Sequence, residues 1–433
     1  MSDEPAPPQT DTSVDDATKS PLPVIKSRWA RYSSTSPITL TVLALILGVV
    51  IGAIIIMVTS APVLNSWRYS FHHFGSIGST LKLTFDTVAA AYRAMLTGSI
   101  IDPTLFFRSV STGHGWDQTL TPISETLTYA TPLVIASIGV GIAFQTGIFN
   151  IGANGQAILG AIAGTAVASL IHLPMLWHLP LTLLGGIIGG AVCGMVPGVL
   201  KAYTGAHEVI VTLMFNYVVN AFLIYALTST ALQLPGQSND ISRNFDSTAT
   251  LNPLFGTKSG LRMSYGIVVA AAVVIFAIWF LKRSSLGFDF RVTGANPNAA
   301  RASGINPKTI VMAVFIVSGG LSGLAGIVQA ASTTHYIDGG FLIGSAGIGF
   351  TAITIALLGR LQPIGIVWGS LLFAALGVGG RAMQAATGIP LDLATIIQSI
   401  VVLFVASPVL ITEIFRLRSG AQSFQLANKG WGS

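Results

Sequence analysis

Ten apolar runs, none containing an Asp, Glu, Lys, Arg or His, constrain this chain more than any other feature. They fall near residues 38–58, 126–143, 156–171, 179–200, 209–230, 263–281, 309–331, 341–358, 363–380 and 393–411. A helix needs about 20 apolar residues to cross about 30 Å of hydrocarbon, and several of these runs are on the short side. Lipid offers the backbone no hydrogen-bonding partners, so continuous apolar runs cross it as helices. The expected fold is an all-α polytopic membrane protein with about ten transmembrane helices. Charge content agrees. Only 9% of the 433 residues are charged and 52% are hydrophobic, whereas an average soluble chain is about 25% charged.

The remaining polar residues set the topology. Residues 1–37 mix Asp3, Glu4, Asp11, Asp15 and Asp16 with Pro, Ser and Thr, which reads as a disordered tail. An even number of spans puts both termini on one side. Fourteen of the 22 Lys and Arg then fall on the side of the termini and eight on the other. Four of those eight (Arg68, Lys82, Arg93 and Arg108) lie in the long 59–122 segment, which is largely exempt from the positive-inside rule. Both termini are therefore expected in the cytoplasm, with cytoplasmic tails at 1–37 and 412–433, a membrane domain over 38–411, an extracytoplasmic segment at 59–122 and a cytoplasmic loop at 282–308. Within 59–122, residues 81–97 have helical periodicity and read as a helix lying on the membrane or over the mouth of a channel. The net charge of +6 is scattered among loops, which argues against nucleic acid as a partner. Cys193 is alone, so neither a disulfide nor a Cys/His metal site is expected.

Two halves look related but inverted. Spans 2–5 and spans 7–10 begin on opposite sides, and each set has a Gly-rich break after its first member, at 147–155 and 339–349. Paired Gly-interrupted segments in opposite orientation point to a substrate path.

Several local patterns carry functional information. In FQTGIFNIGANGQ (144–156), Gly147, Gly152 and Gly155 let the backbone leave a helix. Asn150, Asn154 and Gln156 supply neutral donors and acceptors. The segment is either a tight cytoplasmic turn or broken backbone lining a wet cavity. In span 4, Gly186, Gly190, Gly194 and Gly198 recur every fourth residue, a ridge that lets a neighbouring helix approach closely. In EVIVTLMFNYVVN (208–220), Glu208 opens a helix, while Asn216, Tyr217 and Asn220 either bond between helices or line a pore. The 282–308 loop contains Asn296-Pro297, an N-cap followed by proline at the first helical position, with Gly304 as a stop. A short basic helix at roughly 297–303 is expected, built to dock a cytoplasmic partner. Gly320-Leu321-Ser322-Gly323 matches a GxSG protease motif, but none of the seven His lies within an expected span to act as base. Charge-free spans also argue against proton or ion coupling. No GxxxxGK[ST] loop is present to bind ATP, so energy for uphill transport has to enter through a partner.

Four stretches together resemble one family. Residues 131–156, 208–217, 287–305 and 350–376 are similar, in order, to the "TPL…G…AF..G.FNIG..GQ", "EVI.T.M.NY", "G…R..G.NP.AA..GI" and "GF..I..ALLG…P.G…..LF..L" segments of permease subunits of bacterial ABC importers for nucleosides and simple sugars. These are the permeases paired with basic-membrane-protein-type substrate-binding lipoproteins. The family pattern usually carries Glu where this chain has Asn154, and small or polar residues are common where it has Arg360. The resemblance implies a second permease subunit, two cytoplasmic ATPase subunits, an extracytoplasmic binding lipoprotein, and a nucleoside or sugar as solute. It implies no catalytic residue, metal or cofactor on this chain, since ATP and Mg²⁺ belong to the ATPase. Carried over, Arg291, Gly294, Asn296, Ala299 and Ala300 belong to the coupling element, and Asn150, Gln156 and Asn216 lie at or near the translocation path. The alternative is a facilitator or an ion-coupled secondary carrier of neutral polar solutes. The location implied is the bacterial inner membrane.

Overall fold

The computed structural model describes residues 37–256, 259–341, 347–407, 410–411 and 414. Apart from Pro37 and Ile414, the two expected tails lie outside the described residues. The chain divides into Leu45–Ser407 and a remainder of Met1–Ala44 with Pro408–Ser433. The described part of that remainder is the first turns of one helix together with Leu410, Ile411 and Ile414. The architecture below is that of Leu45–Ser407.

The helices, in chain order, are α1 (Pro37–Thr59), α2 (Ala61–Ser70), α3 (Ile77–Ser99), α4 (Pro103–Thr112), α5 (Trp116–Gln145), α6 (Ala153–Leu170), α7 (Met175–Thr204) and α8 (Glu208–Thr228). They continue with α9 (Gly266–Arg283), α10 (Ser285–Ala295), α11 (Pro297–Ala302), α12 (Pro307–Thr333), α13 (Ile348–Leu358), α14 (Pro363–Thr387) and α15 (Leu391–Ala406). Among the described residues, eight helices are long and apolar enough to cross a membrane: α1, α5, α6, α7, α8, α9, α12 and α14. The other two apolar runs form shorter helices, α13 and α15. The 11 residues of α13 span only about 16 Å.

Two helices extend past their apolar runs. α5 has 30 residues and begins at Trp116, because a Thr-rich stretch continues the helix before the apolar part. α7 begins at Met175, which draws His178 into the helix. That corrects the expectation that no His lies within a span. His178 is fully buried and held by Thr248 Oγ1 at 2.6 Å and Val167 O at 3.1 Å.

α6, α7 and α12 form the tightest part of the bundle. Gly190 of α7 faces Gly319 and Gly323 of α12 so closely that a Cβ would overlap Gly319 O. Gly194 lies on Phe315 O, Gly186 on the Ile327 side chain, and Gly198 within 3.0 Å of Phe315 Cβ, each measured from an ideal Cβ. Gly160 of α6 meets the same Gly323. Ser322 of the GxSG string is fully buried and donates to Ser318 O at 2.9 Å.

The halves α5–α8 and α12–α15 exchange their leading helices. α12 packs on α6 and α7, while α5 packs on α13 and α14. The second and fourth helices of each half also touch, α6 with α8 and α13 with α15.

The helix expected at 81–97 is α3, and only its first half behaves as a surface element. That half pairs with α2 through Ser66–Thr80 (2.7 Å) and Trp67–Thr84 (3.1 Å). Its second half inserts against α14 and α1, because small residues let the backbones meet. Gly98 presses on Ala382, Gly379 presses on Met95 O, and the Tyr92 hydroxyl donates to Val49 O at 2.6 Å.

Basic residues separate by end. Lys201, Lys282, Arg283, Arg291, Arg301, Lys308 and Arg360 sit at the end where α10 and α11 lie. There Lys201 pairs with Glu208 at 2.7 Å and Lys308 lies 5.4 Å from the Tyr203 ring centroid. Arg243, Arg262 and Arg381 belong to the opposite end. That end is covered by residues 229–256 and 259–265, whose isolated bridges include Gln233–Ser242 and Ile241–Asp338.

Candidate functional site

The break between α5 and α6 is built by sequence-local chemistry. Gly147 takes a left-handed φ of 75°, where a side chain would be strained. The chain then turns back into the bundle, burying Asn150 completely. Asn150 uses all of its capacity. Its Nδ2 donates to Gln156 Oε1 (2.9 Å) and Ser318 Oγ (2.8 Å). Its Oδ1 accepts from Gly152 N (3.0 Å) and Gln156 Nε2 (3.1 Å). Asn216 of α8 closes the other side, accepting from Gly155 N at 2.9 Å and donating to Ile151 O at 3.1 Å. Asn150, Gln156 and Asn216 thus form amide clamps that hold the start of α6, and in this conformation none of them lines the main cavity. Leucine at 150 would orphan Gly152 N and the Gln156 amide, each at about 1–3 kcal/mol. Asn150→Leu should therefore lower the thermal midpoint of the purified protein markedly, and Asn150→Leu/Gln156→Leu should recover part of the loss. A midpoint unchanged in the single variant would show that the clamp carries no weight.

The 282–308 loop contains two helices. α11, Pro297–Ala302, is capped by Asn296 Oδ1, which accepts from Asn298 N (3.0 Å) and Ala299 N (3.2 Å). Arg291, Asn296 and Ala299 are exposed, while Ala300 is buried. α10 was not anticipated. Its signals were Ser284 as N-cap, accepting from Gly287 N at 2.8 Å, and the i, i+4 pair Leu286 and Phe290. Phe290 is fully buried and meets Phe280 edge to face at 5.5 Å. Gly287 rests on Phe280 O, and Gly294 rests on Gln145 O and Thr146. The exposed α11 is thereby tied through α10 to the last residue of α5.

Gln145 extends that tie. Its Nε2 donates to Leu361 O in the turn between α13 and α14. Arg360 and Leu361 hold φ values of 53° and 59° there, left-handed conformations that cost non-glycine residues about 1–2 kcal/mol each. Gly359 and Gly365 are in backbone contact across the same turn. One short chain of contacts, Gly294–Gln145–Leu361, therefore touches the break of the first half and the turn of the second.

Toward the other end of the bundle is a cavity of about 440 Å³. Gln329, Gln398, Thr333 and Thr395 supply uncharged polar groups, and Phe341 and Phe373 supply rings. Arg381 at its wall is engaged over the Tyr129 ring at 4.0 Å, and Asp338 Oδ1 accepts from Gly340 N at 3.0 Å. Among the described residues no group of His, Cys, Asp and Glu could hold a metal ion.

A bundle of membrane-crossing helices with two broken repeats, a cavity carrying a few uncharged polar groups and a capped loop helix at one end fits a transport protein. Residues 123–406 match the family described as branched-chain amino acid transport system / permease component. The chain belongs to this family. It is 35% identical over 65% of its length to a glucose ABC transporter permease of Haloferax volcanii, covering 75% of that protein. It is 32% identical over 66% of its length to a guanosine ABC transporter permease of Bacillus subtilis, covering 81%. It is 29% identical over 62% of its length to a D-allose permease of Escherichia coli, covering 78%. No solved structure matches the chain. The chain is a multi-pass membrane permease component of an ABC transporter, and the ATP-hydrolysing part of the transporter is a separate subunit.

Proposed function

We propose that this permease imports nucleosides, or a related simple sugar, across the bacterial inner membrane by ATP-driven alternating access. The observation that carries the solute class is the cavity lining. Amide and hydroxyl side chains recognise a hydroxyl-rich solute, aromatic rings stack on a planar or pyranose face, and a volume of about 440 Å³ lies within the range of small-molecule sites. The relatives named for guanosine, glucose and D-allose support the same class. Both termini and α11 are assigned to the cytoplasm on the distribution of basic residues. α11 docks on the ATPase, which binds ATP and Mg²⁺, while this chain binds no cofactor. A second permease subunit, identical or related, completes the membrane pair, and a binding lipoprotein delivers solute from outside. Closure of the ATPases pushes α10–α11 and rocks one half against the other.

The test is uptake into proteoliposomes containing the permease with its ATPase and binding protein. ATP-dependent accumulation of labelled uridine or glucose supports the reading, and absence of both overturns it. Uptake that survives removal of the ATPase but collapses with an ionophore would assign a secondary carrier instead. Within that assay, Asn296→Ala removes the α11 cap, a loss of about 1 kcal/mol, and Arg291→Ala removes an exposed charge. Each should lower transport per ATP hydrolysed while leaving the thermal midpoint within a few degrees of wild type. An unchanged ratio of transport to hydrolysis would exclude the docking role.

A further inference from the structure

Two helix starts meet inside the bundle. α6 begins at Ala153 and α13 at Ile348, and Gly349 lies so close to Asn154 N that a Cβ would overlap it. Ser318, bonded to Asn150 beside this junction, is 11 residues into α12. The junction is therefore about 16 Å from the α10–α11 end, near the middle of a bilayer core. Both helices present their positive ends there. Among the described residues α13 has no side-chain cap, and its N-cap residue is Gly347. The Asn154 side chain lies against Gly347. Among the described residues its Oδ1 is buried without a hydrogen-bond partner, and the residue is only 6% exposed. Gly347 and Ile348 are also walls of the cavity, and Asn154 lies behind them, not itself part of the lining.

We propose that Asn154 Oδ1 and the N-terminus of α13 form a hydroxyl-binding subsite at the wall of that cavity. The junction offers an unused acceptor beside uncapped amide donors. An anion would suit the helix ends but would face the Asn154 oxygen, which is itself electron-rich. An ammonium group would suit the oxygen but face two positive helix ends. A hydroxyl satisfies both, donating its proton to Asn154 Oδ1 and accepting from the first amides of α13. Half-helix N-termini at midmembrane depth are a general way of holding a polar solute group. The assignment rests on the reading of the solute as a nucleoside or sugar.

The experiment measures maximal uptake by the reconstituted transporter at concentrations that saturate the binding protein, so that differences reflect the permease. The probes are uridine, its 2′-, 3′- and 5′-deoxy forms, glucose and its monodeoxy forms. Wild type should move at least one deoxy analogue about five-fold or more slowly than its parent, the size of leaving one buried acceptor unmet. Asn154→Leu should bring that ratio close to one, and Asn154→Asp, which keeps the acceptor, should restore it. Asn154→Ala is read in the same way if leucine prevents assembly. The subsite is overturned if parent and analogues slow by one common factor, which a structural role or a trapped water would give. It is equally overturned if wild type does not discriminate, or if both Asn154→Leu and Asn154→Ala fail to assemble. If wild type imports no nucleoside and no aldose, the solute reading falls first and the subsite with it.

Discussion

Replacing Gly190 with leucine should abolish assembly of the permease. A Cβ at this position would overlap Gly319 O and lie 2.6 Å from Gly323 Cα and 2.7 Å from Gly323 N. All three are backbone atoms of α12, which cannot swing aside as a flexible side chain can. Gly160 of α6 meets both Gly323 and Gly186 at the same junction, and Gly139 of α5 bears on Ser318 O, so α12 is held closely by three helices. In lipid, where tails are as apolar as leucine, close helix packing is itself the main source of association. Overpacking in cores that can relax costs about 1–3 kcal/mol. Gly190→Ala should reach the top of that range, and leucine should exceed it enough to remove the folded protein from membrane extracts. Size-exclusion profiles and thermal midpoints of the extracted protein measure both effects. Gly78→Ala is the control, because nothing lies within 4 Å of its would-be Cβ. A Gly190→Leu protein with wild-type yield and midpoint would show that α7 and α12 are not packed in this way.

The spacing of those glycines was legible in the sequence because i and i+4 positions share a face whatever the helix packs on. Its partner was not, since Gly319 and Gly323 lie more than 120 residues away, Gly323 closing a string that resembles a protease motif and Gly319 just before it. The cap at Asn296 was legible for the same local reason, and α11 starts at Pro297. α10 was missed because an 11-residue helix anchored by one buried ring, Phe290, has little periodicity to read. The run 341–358 is uncharged throughout, so counting apolar residues suggested a full span, and only the Gly-rich break read at 339–349 pointed to a helix that starts at Ile348 behind Gly347, where φ is 38°. The amides of 144–156 were visible as a polar cluster. Whether they faced one another or a solute depended on Ser318 and Asn216, whose positions only the tertiary fold sets.

The same tertiary arrangement makes Gln145 the residue whose loss should most affect coupling without affecting folding. α11 is exposed and α10 is packed, so a push on α11 arrives at Gly294, which bears on Gln145 O. From there the Gln145 side chain reaches Leu361 O in the α13–α14 turn. That turn holds two non-glycine residues at positive φ, a strained arrangement that needs support from its surroundings to persist. A Gln145→Ala permease keeps its backbone contact with Gly294 but releases the turn. If α11 docks on the ATPase as proposed, hydrolysis should remain within about two-fold of wild type. Solute accumulation should fall about ten-fold, equivalent to about 1.4 kcal/mol of lost coupling. Gly294→Ala disturbs the preceding link by forcing a methyl onto backbone at Gln145 O, so the folded fraction should show the same loss of coupling while its thermal midpoint falls, as for Gly190→Ala. The Gln145→Ala/Gly294→Ala double variant should be little worse than either alone, as expected for two steps of one route. Hydrolysis and uptake measured on the same proteoliposomes decide the matter. If the two activities fall in proportion, Gln145 supports the fold or the docking surface; if the double variant loses the product of the two single effects, the push travels by independent routes.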